Sequence, residues 1–93
     1  MQIAGFDWDA GNWPKCGKHG VSRREIERLF LETGVGVAPD PGHSTSTESR
    51  HIAVGRVDGR AMFVAFTLRG DRIRPISARY MHAKEADHYE AST

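Results

Sequence analysis

Helical periodicity is clearest in the first third of the chain, directly after residue 22. Apolar residues recur there at i, i+3 and i+4, the spacing of one helix face, and they predict a helix from Arg23 to Glu32. These apolar residues are Ile26, Leu29 and Phe30. Ser22 and Glu25 form a capping box at the start of this helix, and Gly34 is a stop signal beyond its end.

Three extended segments follow in the second half of the chain, and two short turns separate them. The segments are Arg50–Val57, Arg60–Leu68 and Arg72–Tyr80. Asp58–Gly59 favours a tight two-residue hairpin turn, and Gly70–Asp71 makes the second turn. The pattern therefore predicts a three-stranded antiparallel meander. Pro75 has no amide hydrogen, so its place inside the third segment predicts an irregularity there.

Weaker signals predict the remaining elements. Gln2–Phe6 and Gly34–Ala38 are predicted to be short strands, the first at a sheet edge, and Ala10–Lys18 is predicted to be a short or irregular helix. The polar segment Ser44–Ser49 predicts an exposed, mobile loop, and Ala83–Glu90 predicts a terminal helix. The buried stripe of that helix is expected to comprise Ala83, Ala86 and Tyr89. This order predicts an α+β fold, with an N-terminal strand and helices packed on an antiparallel sheet and a C-terminal helix.

Length and composition exclude several classes of protein. The chain has 93 residues, which predicts a single domain over 1–93 and excludes a multi-domain protein. Its one cysteine, Cys16, cannot form an internal disulfide. No stretch approaches the roughly 20 apolar residues that span a membrane, and the first residues do not resemble a signal peptide. We therefore expect a small cytoplasmic domain with no membrane association.

The formal net charge of +1 hides an uneven distribution of charge. Residues 1–49 carry a net charge of −2 and residues 85–93 carry −3, whereas residues 50–84 carry +6. Seven of the eight cations in this middle block are arginines, whose planar guanidinium suits phosphate oxygens. The block is therefore a candidate phosphate-binding surface, and a solvated strand surface is the alternative.

Seven short motifs stand in a fixed order along the chain. They are Phe6–Asp9 (F-x-W-D), Lys18–Ser22 (K-H-G-V-S), Asp40 with His43 and Glu48–Arg50 (D…H…E-x-R), Gly55, Thr67–Arg69 (T-x-R), Ile73–Arg79 (I-x-x-I-S-A-R), and Glu85 with Tyr89 (E-x-x-x-Y). Together they resemble the BrnT family of toxins over nearly the whole chain. Asn12–Gly17 departs from that family, whose first helix is usually regular.

The resemblance implies a RelE-like fold and a metal-independent endoribonuclease that inhibits translation, as the toxin of a type II toxin–antitoxin system. RNA would be its substrate, and no cofactor is implied. A cognate ribbon-helix-helix antitoxin, similar to BrnA, would neutralise the toxin, and the complex of the two would bind operator DNA.

RNA carries its own nucleophile, the 2′-hydroxyl, so its cleavage needs a base, an acid and cations near the phosphorus. Among the positions that match the family, the residues expected to be catalytic are Lys18, His19, Arg69 and Arg79. Arg69 and Arg79 end two strands of the meander, and we expect both to contact the scissile phosphate. Arg50 and Arg74 are expected to bind RNA, with Glu48 paired to Arg50 or acting as the base.

Structural alternatives remain open for these residues. Arg69 and Arg79 would instead be surface arginines paired with a carboxylate such as Glu85, and His19 would instead pack under the helix. Trp8 and Trp13 are more often core or interface anchors than base-stacking residues.

The class of protein also has alternatives. The histidines and Cys16 do not have zinc-ligand spacing, so no metal site is expected. The alternative function is a non-catalytic module that binds a co-encoded DNA-binding partner. DNA binding by the chain alone is disfavoured, because no helix-turn-helix pattern is present.

Overall fold

Five strands form one mixed sheet in the computed structural model, which describes residues 3–32 and 35–91. The strands are β1 (Gly5–Phe6), β2 (Gly36–Pro39), β3 (Arg50–Val57), β4 (Arg60–Arg69) and β5 (Arg72–Tyr80). Their order is β1-β5-β4-β3-β2, in which β1 is parallel to β5 and the other neighbours are antiparallel. The helices are α1 (Trp13–Cys16), α2 (Arg23–Glu32) and α3 (Ala83–Ala91), and single 3₁₀ turns lie at Gly17–His19 and Pro41–His43. The predicted α+β class is confirmed.

Helix α2 has the predicted bounds because its start and its apolar face are both encoded locally. Ser22 Oγ accepts a hydrogen bond from Glu25 N at 3.1 Å, and the Glu25 carboxylate accepts one from Ser22 N at 3.0 Å. This reciprocal pair satisfies two amide groups that have no partner within the helix. The predicted stop at Gly34 and the predicted strand start at Gln2 lie outside the described residues.

The antiparallel meander is also confirmed, and its first turn has the backbone conformation that joins two antiparallel strands. Asp58 and Gly59 have φ angles of 52° and 79°, the left-handed values that a two-residue hairpin turn requires at both positions. The turn fixes the register between β3 and β4, which extends from the Val57–Arg60 pair to Arg50–Thr67.

Strand β5 carries the irregularity that was predicted at Pro75. Ala65 of β4 pairs with Ser77, whereas the next residue of β4, Phe66, pairs with Pro75, so Ile76 is an extra residue in β5. The resulting β-bulge accommodates a proline, which has no amide hydrogen for the ladder, inside an interior strand.

The hydrophobic core lies between the sheet and the helices α1 and α2. Phe30 of α2 meets Phe66 of β4 edge to face, with ring centroids 5.2 Å apart. The buried core residues are Cys16, Val21, Ile26, Leu29, Ala53, Val57, Met62, Val64, Phe66, Ile73 and Ala78. Side chains alternate along a strand, so the residues between these positions project from the opposite face of the sheet.

The segment Ser44–Ser49 is largely exposed, as predicted. Within it, Ser44 Oγ accepts from Arg50 N at 2.9 Å, and Thr45 N donates to Glu48 O at 2.8 Å. One smaller expectation, for the buried stripe of α3, is wrong in part. In α3, Ala86 is buried but Ala83 is exposed, so the helix contributes a narrower apolar stripe than its sequence indicates.

Candidate functional site: a basic pocket on the open face of the sheet

A row of side chains crosses the sheet face that lies opposite α2, where β3 begins and β4 ends. Arg50 of β3 pairs with Thr67 of β4, and Thr67 pairs with Arg74 of β5. Paired residues of antiparallel strands project to the same face, so these side chains are neighbours, about 5 Å apart from strand to strand. Arg69 lies two residues beyond Thr67 and shares that face.

These residues line a small polar cavity, which we call the basic pocket. Its lining consists of Gly11, Asn12, Lys15, Glu48, Arg50, Thr67, Arg69, Arg74 and Ile76. The cavity volume of about 170 Å³ is below the roughly 300–1,000 Å³ of sites for drug-sized ligands, and it suits a group the size of a phosphate. Four cations and one carboxylate line it, a formal charge of +3 for the lining alone.

Two of these cations are available to an incoming anion. Lys15 comes from α1 and Arg69 from the end of β4, and both residues are exposed. Within residues 3–32 and 35–91, neither side chain has a hydrogen-bond or ion-pair partner. Because no carboxylate neutralises them, they supply most of the attraction that the pocket offers to a phosphate.

Arg50 and Glu48 form the ion pair that the sequence predicts. Arg50 Nε donates to Glu48 Oε1 at 3.2 Å, and each side chain is about one-third exposed. Thr67 Oγ1 donates to Ser49 O at 2.8 Å, which ties the segment that carries Glu48 to β4. The Glu48 carboxylate is therefore held in the pocket together with its cations.

Arg74 is the most strongly neutralised cation of the pocket. Its guanidinium binds Asp9 through two hydrogen bonds of 3.1 Å and Asp7 through one of 3.3 Å. The hydrogen bonds to Asp9 raise the pKa of Arg74, and the same contact is the main cause of the lowered pKa of Asp9. The side chain is only 14% exposed, so Arg74 forms the wall of the pocket more than it supplies free charge.

Asn12 holds this wall in place. Its Nδ2 donates to Asp7 O at 2.9 Å and to Pro75 O at 2.8 Å, and its Oδ1 accepts from Asp9 N at 2.8 Å. The residue is 3% exposed, and these bonds use both amide hydrogens and the oxygen. Asn12 thereby connects the segment that binds Arg74 to the bulge in β5.

Arg79 lies at the other end of the same sheet face. It pairs with Phe63, which is six residues from Arg69 along β4, or about 20 Å at the rise of a strand. Its guanidinium binds both carboxylate oxygens of Glu85 in α3, at 2.6 and 2.7 Å, and these bonds raise the pKa of Arg79 and lower that of Glu85. Arg79 therefore has a carboxylate partner, as the alternative for this residue expects, and its contact with the scissile phosphate stays a prediction.

Lys18 and His19 are likewise not part of the pocket. Both belong to the 3₁₀ turn Gly17–His19, next to the start of α2, and both are exposed. The alternative that His19 packs under the helix is wrong, because the residue faces solvent.

Trp8 and Trp13 are half-buried against the core, in agreement with the interpretation that they are packing residues. Their rings meet edge to face with centroids 5.6 Å apart, and Trp8 Nε1 donates to Glu27 at 2.9 Å. The Arg23 guanidinium lies 4.7 Å from the Trp13 ring centroid, so the chain itself covers this aromatic surface.

Five residues that line the pocket were not predicted as site residues: Gly11, Asn12, Lys15, Thr67 and Ile76. Lys15 lies in the segment that departs from the family motifs, and Asn12 has no recognisable spacing, so no sequence signal marks either one. Arg79 could have been placed correctly, because tight turns make the meander antiparallel, and successive strands then end at opposite ends of the sheet.

Metal-ligating side chains are scattered rather than grouped. Among the described residues, no group of three or more His, Cys, Asp or Glu side chains is arranged to hold a metal ion. No helix in the same part of the chain combines the length and the apolar character needed to cross a bilayer.

The fold and the pocket define a small α+β protein with a phosphate-sized basic site. A protein-family model described as a ribonuclease toxin, BrnT, of type II toxin–antitoxin systems matches residues 8–85. The match spans most of the chain, and the chain belongs to this family. It is therefore a member of a family of ribonuclease toxins, for which RNA is the target and a cognate antitoxin is the partner. A search of curated proteins found no match.

Proposed function

We propose that this chain is an endoribonuclease toxin that cleaves RNA in the basic pocket by activating the 2′-hydroxyl, without a metal ion. The observation that carries the proposal is the pairing of two unneutralised cations, Lys15 and Arg69, with a carboxylate, Glu48, around one phosphate-sized cavity. A 2′-hydroxyl needs a nearby proton acceptor, and the phosphorane that it forms needs nearby cations.

Each pocket residue has a role that follows from its contacts. Arg69 and Lys15 bind the non-bridging phosphate oxygens and stabilise the charge that develops on them. Glu48 accepts the 2′-hydroxyl proton, and the hydrogen bond from Arg50 orients its carboxylate. Arg74, which Asp7 and Asp9 hold in place, forms the wall against which the phosphate rests. The products are a 2′,3′-cyclic phosphate and a 5′-hydroxyl.

The remaining residues that the sequence marks as catalytic have roles outside the pocket in this proposal. Lys18 and His19 are exposed, so they contact RNA that extends beyond the scissile phosphate. Arg79 retains its ion pair with Glu85 and holds α3 against the sheet.

The partner in this proposal is a ribbon-helix-helix antitoxin similar to BrnA, and the toxin–antitoxin complex binds operator DNA in the cytoplasm. Membership of a type II family supports the existence of an antitoxin. Co-expression with the neighbouring open reading frame, followed by gel-shift assays on the promoter fragment, tests this part. Failure of the complex to form, or to bind DNA, would contradict it.

The catalytic part of the proposal is tested by RNA cleavage in the presence of EDTA. A 5′-labelled messenger RNA reports the cut, and a parallel reaction in a translation extract, without EDTA because ribosomes need Mg²⁺ to stay assembled, tests cleavage on ribosomes. We expect Arg69→Ala to lower the cleavage rate about 10²- to 10³-fold, and Glu48→Gln to lower it about 10²- to 10⁴-fold. Arg24→Ala is the matched control, because it removes one exposed arginine from α2 on the other side of the sheet.

Induced wild-type protein and Arg24→Ala should arrest growth, whereas Arg69→Ala and Glu48→Gln should not. Thermal melts should show that all of these variants are folded. Full activity of folded Arg69→Ala and Glu48→Gln proteins would place the active site elsewhere. Absence of cleavage by the wild-type protein, combined with tight antitoxin binding, would favour the non-catalytic binding module.

A further inference from the structure

Asp40 and His43 form a carboxylate–imidazole pair that the roles described above do not use. His43 Nδ1 lies 2.9 Å from Asp40 Oδ2, and the 3₁₀ turn between the two residues closes with a hydrogen bond from His43 N to Asp40 O at 3.2 Å. The His43 side chain is 73% exposed, whereas that of Asp40 is 19% exposed. A carboxylate only accepts hydrogen bonds, so the Nδ1 proton is on His43 and Nε2 is left for another partner.

Three hydrogen bonds fix this pair beside the first residue of β3, whose side chain lines the basic pocket. Asp40 N donates to Arg50 O at 2.8 Å, Ser44 Oγ accepts from Arg50 N at 2.9 Å, and Ser44 Oγ donates to Asp40 O at 2.8 Å. Asp40 continues the β2–β3 ladder opposite Arg50, so alternation places its side chain on the pocket face.

The same segment brings Glu48 to the pocket. Thr45 N donates to Glu48 O, and Thr45 Oγ1 accepts from Glu48 N, so the chain between His43 and Glu48 folds back on itself. The segment that supplies the Glu48 carboxylate to the pocket therefore also carries the imidazole of His43.

We propose that His43, oriented by Asp40, is the general acid of RNA cleavage and protonates the 5′-oxygen that leaves; this assignment rests on the proposed ribonuclease function. Glu48 takes the proton of the 2′-hydroxyl, the bond between the 2′-oxygen and phosphorus forms, and the bond between phosphorus and the 5′-oxygen breaks. The leaving oxygen receives its proton from His43 Nε2, and solvent returns His43 and Glu48 to their starting states.

The chemistry of the neighbouring groups favours His43 for this step. In the roles given above Lys15 binds a non-bridging oxygen and keeps its proton, the guanidinium groups of the pocket do not give up a proton in proteins, and an ionised carboxylate has none to give. The Asp40 carboxylate accepts the Nδ1 hydrogen bond and orients the ring, as a carboxylate does in other imidazole–carboxylate pairs. His51, the histidine next in sequence to Arg50, stacks on Phe66 on the core face of the sheet.

The assignment is tested with two RNA substrates in the translation extract. The first is an ordinary labelled messenger RNA, and the second carries sulfur in place of the leaving 5′-oxygen at the mapped cleavage site. A thiolate leaves without protonation, so the second substrate does not need a general acid. The proteins compared are wild type, His43→Ala, Asp40→Asn and the control His88→Ala, which removes an exposed histidine from α3.

We expect His43→Ala to cleave ordinary RNA about 10²- to 10⁴-fold more slowly than wild type, and to cleave the sulfur substrate within a few-fold of the wild-type rate. Asp40→Asn should show the same selective recovery with a smaller initial loss, and His88→Ala should match wild type on both substrates. Equal loss on both substrates, or no loss on either, would overturn the assignment to His43. Failure of the wild-type protein to cleave either RNA would instead overturn the proposed function, and this assignment with it.

Discussion

Replacing Asn12 by alanine removes the hydrogen bonds that connect the N-terminal segment to the bulge in β5. Three bonds of 2.8–2.9 Å are lost, and the bond to Pro75 O is in the buried interior. Water reaches the partly exposed partners at Asp7 and Asp9, but the Pro75 carbonyl is left without a donor. At about 0.5–1.5 kcal/mol for each lost bond, and more for a buried group left unsatisfied, we expect a loss of about 2–4 kcal/mol in the free energy of unfolding.

A loss of this size is large for a chain of 93 residues. It corresponds to a melting temperature lower by roughly 10–25 °C, and urea denaturation followed by tryptophan fluorescence measures the free energy directly. Thr67→Val is the matched control, because Thr67 is also 3% exposed but its side chain makes one hydrogen bond, to Ser49 O. Its expected cost is about 1 kcal/mol.

The comparison between the two variants decides whether Asn12 acts as described. If Asn12→Ala costs no more than Thr67→Val, the three bonds do not hold the wall of the pocket. An unchanged denaturant slope is also expected, since both variants expose the same surface on unfolding.

Four further predictions concern stability and reactivity. Burial and the hydrogen bond to Glu25 raise the pKa of Tyr80 to about 12, above the ordinary value of 10. The contribution of Tyr80 to stability should therefore be complete below pH 10 and lost as the pH rises through 12. Tyr80→Phe should reduce this alkaline loss of stability in denaturation curves, and an equally steep loss in the variant would contradict the prediction. The hydrogen bond from the Tyr80 hydroxyl is the main cause of the lowered pKa of Glu25. The contribution of Glu25 to stability is therefore present above its pKa in the unfolded chain and is lost as the pH falls through its pKa in the folded protein. Glu25→Gln should remove this dependence of stability on acid pH. Burial raises the pKa of the Cys16 thiol to about 11, so a disulfide reagent at pH 8 should modify it only after unfolding in urea, and rapid modification of the native protein would show that the thiol is accessible. Gly59 has a φ of 79° and open space where the methyl group of an alanine would lie, so Gly59→Ala should cost about 1 kcal/mol from backbone strain alone, measured by urea denaturation.

Those parts of the fold that depend on local signals could be predicted from the sequence. The capping box and apolar spacing of α2, the Asp58–Gly59 turn and the irregularity at Pro75 each involve residues within a few positions of one another. The ion pair of Glu48 with Arg50 was predictable for the same reason.

The composition of the pocket was harder to predict because it depends on contacts between distant segments. Lys15 lines the pocket together with residues that lie more than 30 positions later in the sequence. Asn12 donates a hydrogen bond to Pro75, which is 63 positions away in the sequence. The bulge adds a second difficulty: Arg74 and Arg79 share a face only because Ile76 shifts the alternation between them. Regular alternation would place one of the two arginines in the core.

Ile76 stands outside the pairing of β5, so the strand can lose this residue without turning any other side chain to the wrong face. Its removal would leave Pro75 opposite Phe66 and Ser77 opposite Ala65, a pairing without the bulge in which Pro75 still donates no hydrogen bond. Ile76 therefore marks the junction between the half of β5 that serves the pocket, through Arg74, and the half that holds α3, through Arg79.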